Sequence, residues 1–202
     1  MDDWLPAYEP EVFLDPSNPR AFSGLVMPEN YMEVRYKLHQ AHQKAKDVVN
    51  LVGKSFGQTF GRPYGALEAV DCDDADMVLI ISSSATSPAR LVVQELREQG
   101  RKIGLIKVRM FRPFPHEELQ SLLQGKSKAV IIDRNCSWGK GGIFADETRG
   151  AIYNLPNMPK IYSYVMGLGG RSITPDHIRE VVNEAETSEP SAELSVWKGM
   201  KP

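Results

Sequence analysis

Four short apolar segments, beginning at residues 77, 103, 129 and 161, constrain this chain more than any other feature. They are Met77-Val-Leu-Ile-Ile81, Ile103-Gly-Leu-Ile-Lys-Val108, Ala129-Val-Ile-Ile-Asp133 and Ile161-Tyr-Ser-Tyr-Val165, spaced by 26, 26 and 32 residues. Between them lie stretches with helical periodicity. Pro88 opens one, with Ala89, Val92, Val93 and Leu96 inward and Gly100 closing it. His116 to Leu123 is a second, Ile143 to Leu155 a third, and Pro175 to Ala185 a last, with Thr174 as its cap. Strands alternating with helices at this period make βαβ units with right-handed crossovers. Near-continuous apolar strands belong to a sheet buried on both faces. The expected fold class is therefore α/β: an open, mostly parallel sheet with helices on both sides. A composition of 42 % apolar and 25 % charged residues fits an ordinary packed core and excludes a disordered chain.

Upstream the pattern is different. Residues 1–30 carry Pro6, Pro10, Pro16, Pro19 and Pro28, interleaved with Trp4, Tyr8, Phe13, Leu14 and Phe22. Proline blocks regular elements, while aromatics favour burial, so an extended arm laid over another surface is expected. Tyr31, Val34, Leu38, Ala41, Ala45, Val48 and Val52 then step by three or four, one face of a helix of about 22 residues packed on one side. Pro28 and Asn30-x-x-Glu33 supply its start, Gly53 and Gly57 its stop. The chain thus reads as an arm (1–30), a long helix and connector (31–75), an α/β domain (76–185) and a polar tail (186–202) with a lone Trp197.

Charge and cysteine content exclude several classes. The balance 24 − 26 = −2 gives no surplus of cations for nucleic acid. No apolar run approaches the length of a membrane span, and Met1-Asp-Asp-Trp4 lacks the basic, apolar start of a secretory signal. Cys72 and Cys136 form no CxxC pair, and His39, His42, His116 and His177 are scattered. A reduced, cytoplasmic protein with no metal or iron–sulfur site of its own is expected.

In such a sheet, ligands and partners meet the loops at the carboxyl ends of the strands. The first, Ser82-Ser-Ser-Ala-Thr-Ser87, offers hydroxyls and amides before a helix N-terminus, a geometry that can hold an anion. It lacks GxGxxG and GxxxxGK[ST], and a tight turn with Ser/Thr caps is the favoured reading. The second, Arg109-Met-Phe-Arg-Pro-Phe-Pro115, sets Arg109 and Arg112 among aromatics, the usual make-up of an interface hot spot. The third, Asp133-Arg-Asn-Cys-Ser-Trp-Gly-Lys-Gly-Gly142, brings Arg134, Asn135, Lys140, Gly141 and Gly142, and the helix after it points its positive end back at them. The fourth carries Gly169, Gly170 and Arg171. No loop pairs a nucleophile with a base, and no two carboxylates are placed for acid–base work. These residues are contact or anion candidates, and none is a catalytic candidate.

At these loops the sequence resembles a known family. Leu105-Ile-Lys-Val-Arg-Met-Phe-Arg-Pro-Phe-Pro, Ile132-Asp-Arg-Asn-x-Ser-x-Gly-Lys-Gly-Gly and Gly167-Leu-Gly-Gly-Arg-x-Ile-Thr-Pro look like the α subunit of 2-oxoacid:ferredoxin oxidoreductases, in its C-terminal half. Upstream, Phe13-Leu-Asp-Pro, Met27-Pro-Glu-Asn-Tyr-Met-Glu-x-Arg-Tyr and Phe60-Gly-Arg-x-Tyr-Gly look like the segment that enters that half. The resemblance implies a transketolase C-terminal-like domain within a thiamine-diphosphate complex. That complex oxidatively decarboxylates a 2-oxoacid, passes the acyl group to coenzyme A and sends electrons through iron–sulfur clusters to ferredoxin. It implies partner subunits of thiamine-binding, coenzyme-A-binding and ferredoxin-like kinds, with thiamine diphosphate, Mg2+, clusters and coenzyme A held in the complex and none by this chain alone. A pyrimidine-binding thiamine domain, typical of such α subunits, has no counterpart here. Either the gene is split or the chain is a fragment. The first loop also departs from the family's more glycine-containing version.

On this reading the chain serves assembly, is inactive alone, and exposes loops and a Pro-aromatic arm that predict self-association when isolated. Two alternatives stand beside it: a stand-alone nucleotide- or coenzyme-A-binding α/β module, and a partner domain of another thiamine-dependent enzyme.

Overall fold

A computed structural model describes residues 4–201. The chain divides into two units, with the boundary between Pro63 and Tyr64.

The first unit is an arm followed by one helix, α1 (Pro28–Phe60). α1 starts earlier and ends later than the periodicity predicts. Pro28 at its first turn follows Met27 as N-cap, so the Asn30-x-x-Glu33 signal lies inside the helix. Gly53 and Gly57 also lie inside it, and the stop falls at Gly61, left-handed at φ 71°, whose N–H returns to the Gly57 carbonyl. Gly57 has a packing reason: a Cβ there would come within 2.8 Å of Pro63. The expectation of a face packed on one side is not met within this unit. Tyr31, Val34, Leu38, Val48 and Val52 remain exposed, and Gly53 is the buried residue of the helix. The last turns gain a cover from the arm. The Trp4 indole donates to Ser55 Oγ at 3.1 Å and stands edge-on to Phe56 and Phe60.

The second unit is a six-stranded sheet with helices on both faces. In chain order it holds β1 (Leu67–Val70), β2 (Met77–Ser82), α2 (Thr86–Glu98), β3 (Ile103–Val108), α3 (His116–Leu123), β4 (Lys128–Asp133), α4 (Ile143–Ile152), β5 (Lys160–Val165), α5 (Pro175–Thr187) and β6 (Val196–Trp197). The strand order is β1-β3-β2-β4-β5-β6, with β1 antiparallel to β3 and every other pair parallel. The chain leaves β2 for β3 on one side, then crosses to β4 on the other, so a topological switch lies between β2 and β4.

Period-two alternation divides the core. Met77, Leu79 and Ile81 face α2 and α5 with Val92, Val93, Ile178, Val181 and Val182. Val78 and Ile80 face α3 and α4 with Leu119, Leu123, Ala145 and Ile152. Such strands cannot be shifted in register by one residue, since each shift would exchange the two cores. The Thr174 cap is present: its hydroxyl accepts the His177 N–H while His177 Nδ1 accepts the Thr174 N–H. Two strands, β1 and β6, lie where the sequence suggests only connector and tail.

Candidate functional site

The register brings Ser82, Val108, Asp133 and Val165, the last residues of four neighbouring strands, to one edge of the sheet. The loops behind them carry the residues expected to make contacts.

The β4–α4 loop is closed from within. Asp133 is fully buried, and its carboxylate accepts the Phe144 N–H at 2.8 Å and the Ala145 N–H at 3.0 Å. Asn135 Oδ1 accepts the Ile143 N–H at 2.9 Å, and Ser195 Oγ, arriving just before β6, accepts the Gly142 N–H at 3.0 Å. The donors at the start of α4 therefore end on side chains of this chain, and its positive end serves Asp133. Burial pushes the Asp133 carboxyl up to about 6, against the two N–H groups and the more distant Arg149 charge that favour ionisation. Gly142 is needed for close approach, since a Cβ would lie 2.6 Å from Asp133 Cγ. Gly141 is left-handed at φ 110° and packs on Ser195. Ser195 also bonds Ser163 Oγ at 2.6 Å in a buried pair. Ser195→Ala strands the Gly142 N–H and the Ser163 hydroxyl. It is expected to cost about 1–3 kcal/mol in urea unfolding, and an unchanged midpoint would contradict the geometry.

The expected arginines divide into two groups. Arg109 stacks over Tyr64 and joins Arg90 on the Glu68 carboxylate. Burial pushes Glu68 up, but the two guanidiniums outweigh it and hold its carboxyl below the ordinary range. Arg112 lies over Phe111 and pairs with Glu147. Lys140 pairs with Asp146 at 2.6 Å on the surface. Elsewhere in this unit Arg97 meets Asp74, Arg101 meets Glu186 and Arg179 meets Glu95.

Arg134 and Arg171 differ: among the described residues neither forms an ion pair. Arg134 Nη1 donates to Ser84 Oγ at 2.8 Å across the switch point, while its Nε is buried without an acceptor. Arg171 Nη1 donates to the Gly199 carbonyl. The two arginines line one crevice of about 270 Å³ with Ser84, Pro88, Gly170 and Ser172. Gly169 and Gly170, left-handed at φ 64° and 84°, turn the chain there. The structure thus brings Arg134, Gly170 and Arg171 together, gathers Asn135, Gly141 and Gly142 at the start of α4, and keeps Arg109 and Arg112 in ion pairs of their own.

Sequence reasoning overlooks Asp133 and Ser195. A lone charge closing an apolar strand is a signal for Asp133; nothing local marks Ser195. At this edge the Ser84 hydroxyl accepts from Arg134, and the Ser195 hydroxyl bonds the Gly142 N–H and Ser163. Cys72 is buried, which pushes its thiol up, and Cys136 is half-buried with Sγ at 3.5 Å from the Ser137 carbonyl. Two separated thiols do not fit an iron–sulfur cluster, which takes four protein ligands. Among the described residues no group of three or more His, Cys, Asp or Glu could hold a metal ion, and no helix is long and apolar enough to cross a membrane.

Residues 75–178 match the family described as pyruvate:ferredoxin oxidoreductase core domain II. The pyruvate synthase subunit PorA of Methanothermobacter thermautotrophicus is 37 % identical over 201 residues, 100 % of this chain and 51 % of the relative. The ketoisovalerate oxidoreductase subunit VorA of Pyrococcus abyssi is 40 % identical over 186 residues, 91 % of this chain and 47 % of the relative. The chain spans about half the length of these curated relatives. Among solved structures, a 2-oxoglutarate:ferredoxin oxidoreductase chain from Magnetococcus marinus aligns over 65 % of this chain and 21 % of its own length, with 19 % identity and a TM-score of 0.45. The matched segment runs from two residues before β2 into α5 and contains all four strand-end loops, so the chain belongs to the pyruvate:ferredoxin oxidoreductase core domain II family.

Proposed function

We propose that this chain works in a cytoplasmic, thiamine-diphosphate-dependent 2-oxoacid:ferredoxin oxidoreductase. In that complex a 2-oxoacid loses CO2, its acyl group passes to the coenzyme A thiol, and the released electron pair reduces ferredoxin one electron at a time. The part of this chain is assembly: its strand-end loops and α1 pack against companions that bind thiamine diphosphate, coenzyme A and iron–sulfur clusters. The family match over residues 75–178 carries the reading. The relatives' names, pyruvate synthase and ketoisovalerate oxidoreductase, supply the 2-oxoacid class. One feature supports an assembly role: α1 exposes Tyr31, Met32, Tyr36 and Leu51.

The test is purification of the tagged chain from its native source, with ketoacid- and coenzyme-A-dependent reduction of a low-potential dye as the assay. Thiamine-binding and iron–sulfur subunits are expected to co-purify with activity, and the chain alone is expected to show neither activity nor tight thiamine diphosphate binding. Turnover by the isolated chain, or its purification from the source without companions, overturns the reading.

A further inference from the structure

We propose that the crevice between the ends of β2 and β4 is a binding site for a phosphate group, held by Arg134 and Arg171 with the hydroxyls of Ser84 and Ser172. Three observations carry this, and none depends on the family.

The first is position. In a doubly wound sheet the crevice outside the carboxyl ends, at the point where strand order reverses, is where the fold leaves a concavity between diverging loops. Here that point lies between β2 and β4, and the crevice of about 270 Å³ opens there. Its walls come from three separate segments, those after β2, β4 and β5.

The second is charge. Six other arginines of this unit are neutralised by carboxylates and a seventh, Arg149, donates to the Leu194 carbonyl, whereas Arg134 and Arg171 share one concave surface with no ion-pair partner among the described residues. Two guanidiniums facing one crevice repel each other, and an anion between them reverses that cost. The buried Arg134 Nε, a donor without an acceptor, adds to the demand.

The third is the shape of the donor set. Planar guanidiniums match the oxygens of phosphate and carboxylate alike. Hydroxyls and guanidiniums converging from three segments suit a tetrahedral anion with acceptors on several sides better than a flat carboxylate. The start of α4 does not compete for the anion, because Asp133, Asn135 and Ser195 already occupy its donors.

The test is titration calorimetry on the full chain at low ionic strength with pyrophosphate, inorganic phosphate, adenosine 3′,5′-bisphosphate and acetate. Pyrophosphate is expected to bind saturably, one per chain, and acetate not to bind. Arg134→Gln and Arg171→Gln are each expected to weaken pyrophosphate by about tenfold or more. Arg101→Gln, at the opposite end of the sheet, should leave it unchanged. Because Arg134 is partly packed, Ser172→Glu serves as an independent variant: Ser172 is exposed, and its replacement sets a carboxylate at the crevice without disturbing the core. It is expected to abolish binding while the thermal midpoint stays put. Tighter binding of adenosine 3′,5′-bisphosphate than of inorganic phosphate identifies a nucleotide-borne group, and equal affinities identify free phosphate; either supports the site. Absence of saturable binding up to about 10 mM, or equal affinity in wild type and all three crevice variants, overturns it.

Discussion

Gly142→Ala is expected to destabilise the α/β unit by about 3–5 kcal/mol. The backbone is not the reason. Gly142 has φ −66° and ψ 134°, a conformation open to alanine, and an unconstrained Gly→Ala change there would stabilise slightly through the unfolded chain. The cost is steric. A new Cβ would lie 2.6 Å from Asp133 Cγ and 2.8 Å from Asp133 Cβ, and closer still to its oxygen. Asp133 cannot swing aside, since it is fully buried and pinned by the Phe144 and Ala145 N–H groups. Either the carboxylate leaves α4 and its donors go unsatisfied, or β4 and α4 separate. A double-mutant cycle isolates the cause: in an Asp133→Gly background, which removes every Asp133 atom the new Cβ would meet, the Gly142→Ala penalty should fall to about 1 kcal/mol or less. A penalty unchanged in that background would place the strain elsewhere.

The second large effect is a dependence on pH. In the unfolded chain Asp133 ionises near its ordinary value of 3.8, while burial in the native unit pushes it up to about 6. Between those values the native state holds a proton that the unfolded state has lost. The stabilisation from this group is therefore complete below about pH 4 and is lost as pH rises through 6, a swing of about 3 kcal/mol. Asp133→Asn removes the titration. It keeps one acceptor for α4 and turns an amide toward the other N–H, so it should be less stable than wild type at every pH. The gap should be widest near pH 4 and narrow toward pH 7.5. Urea unfolding of both proteins across that range measures it. Parallel stability curves would mean that Asp133 remains ionised in the native state, held by the helix donors.

The sheet core is legible in the sequence because its strands are buried on both faces and so read as unbroken apolar runs. Met77 to Ser82 is such a strand, and all but its last residue are buried. β1 is not legible: Leu67-Glu-Ala-Val70 is short, half-exposed and antiparallel at the sheet's edge, with no run to find. The end of α1 is misjudged for a different reason. Glycine is permitted inside a helix where a neighbour needs the room, as Pro63 does at Gly57, and only Gly61 takes the left-handed conformation that stops it. At the site, the residue types can be read from the loops, but their neutralisation cannot. Arg109 meets Glu68 from 41 residues away and Arg112 meets Glu147 from 35. What separates Arg134 and Arg171 from Arg109 and Arg112 is the lack of such carboxylate partners, a property of the folded chain alone.

The tie between Ser195 and Gly142 also sets an order of events during synthesis. β6 pairs with β5 and delivers the hydroxyl that completes the start of α4, yet it is the last of these elements to emerge from the ribosome. A nascent chain extending only to α5 would hold every helix while leaving the outer edge of β5 bare and the Gly142 donor unmet. Completion of this unit thus waits until β6 has emerged, and until then the open edge of β5 is a surface that holdase chaperones can shield.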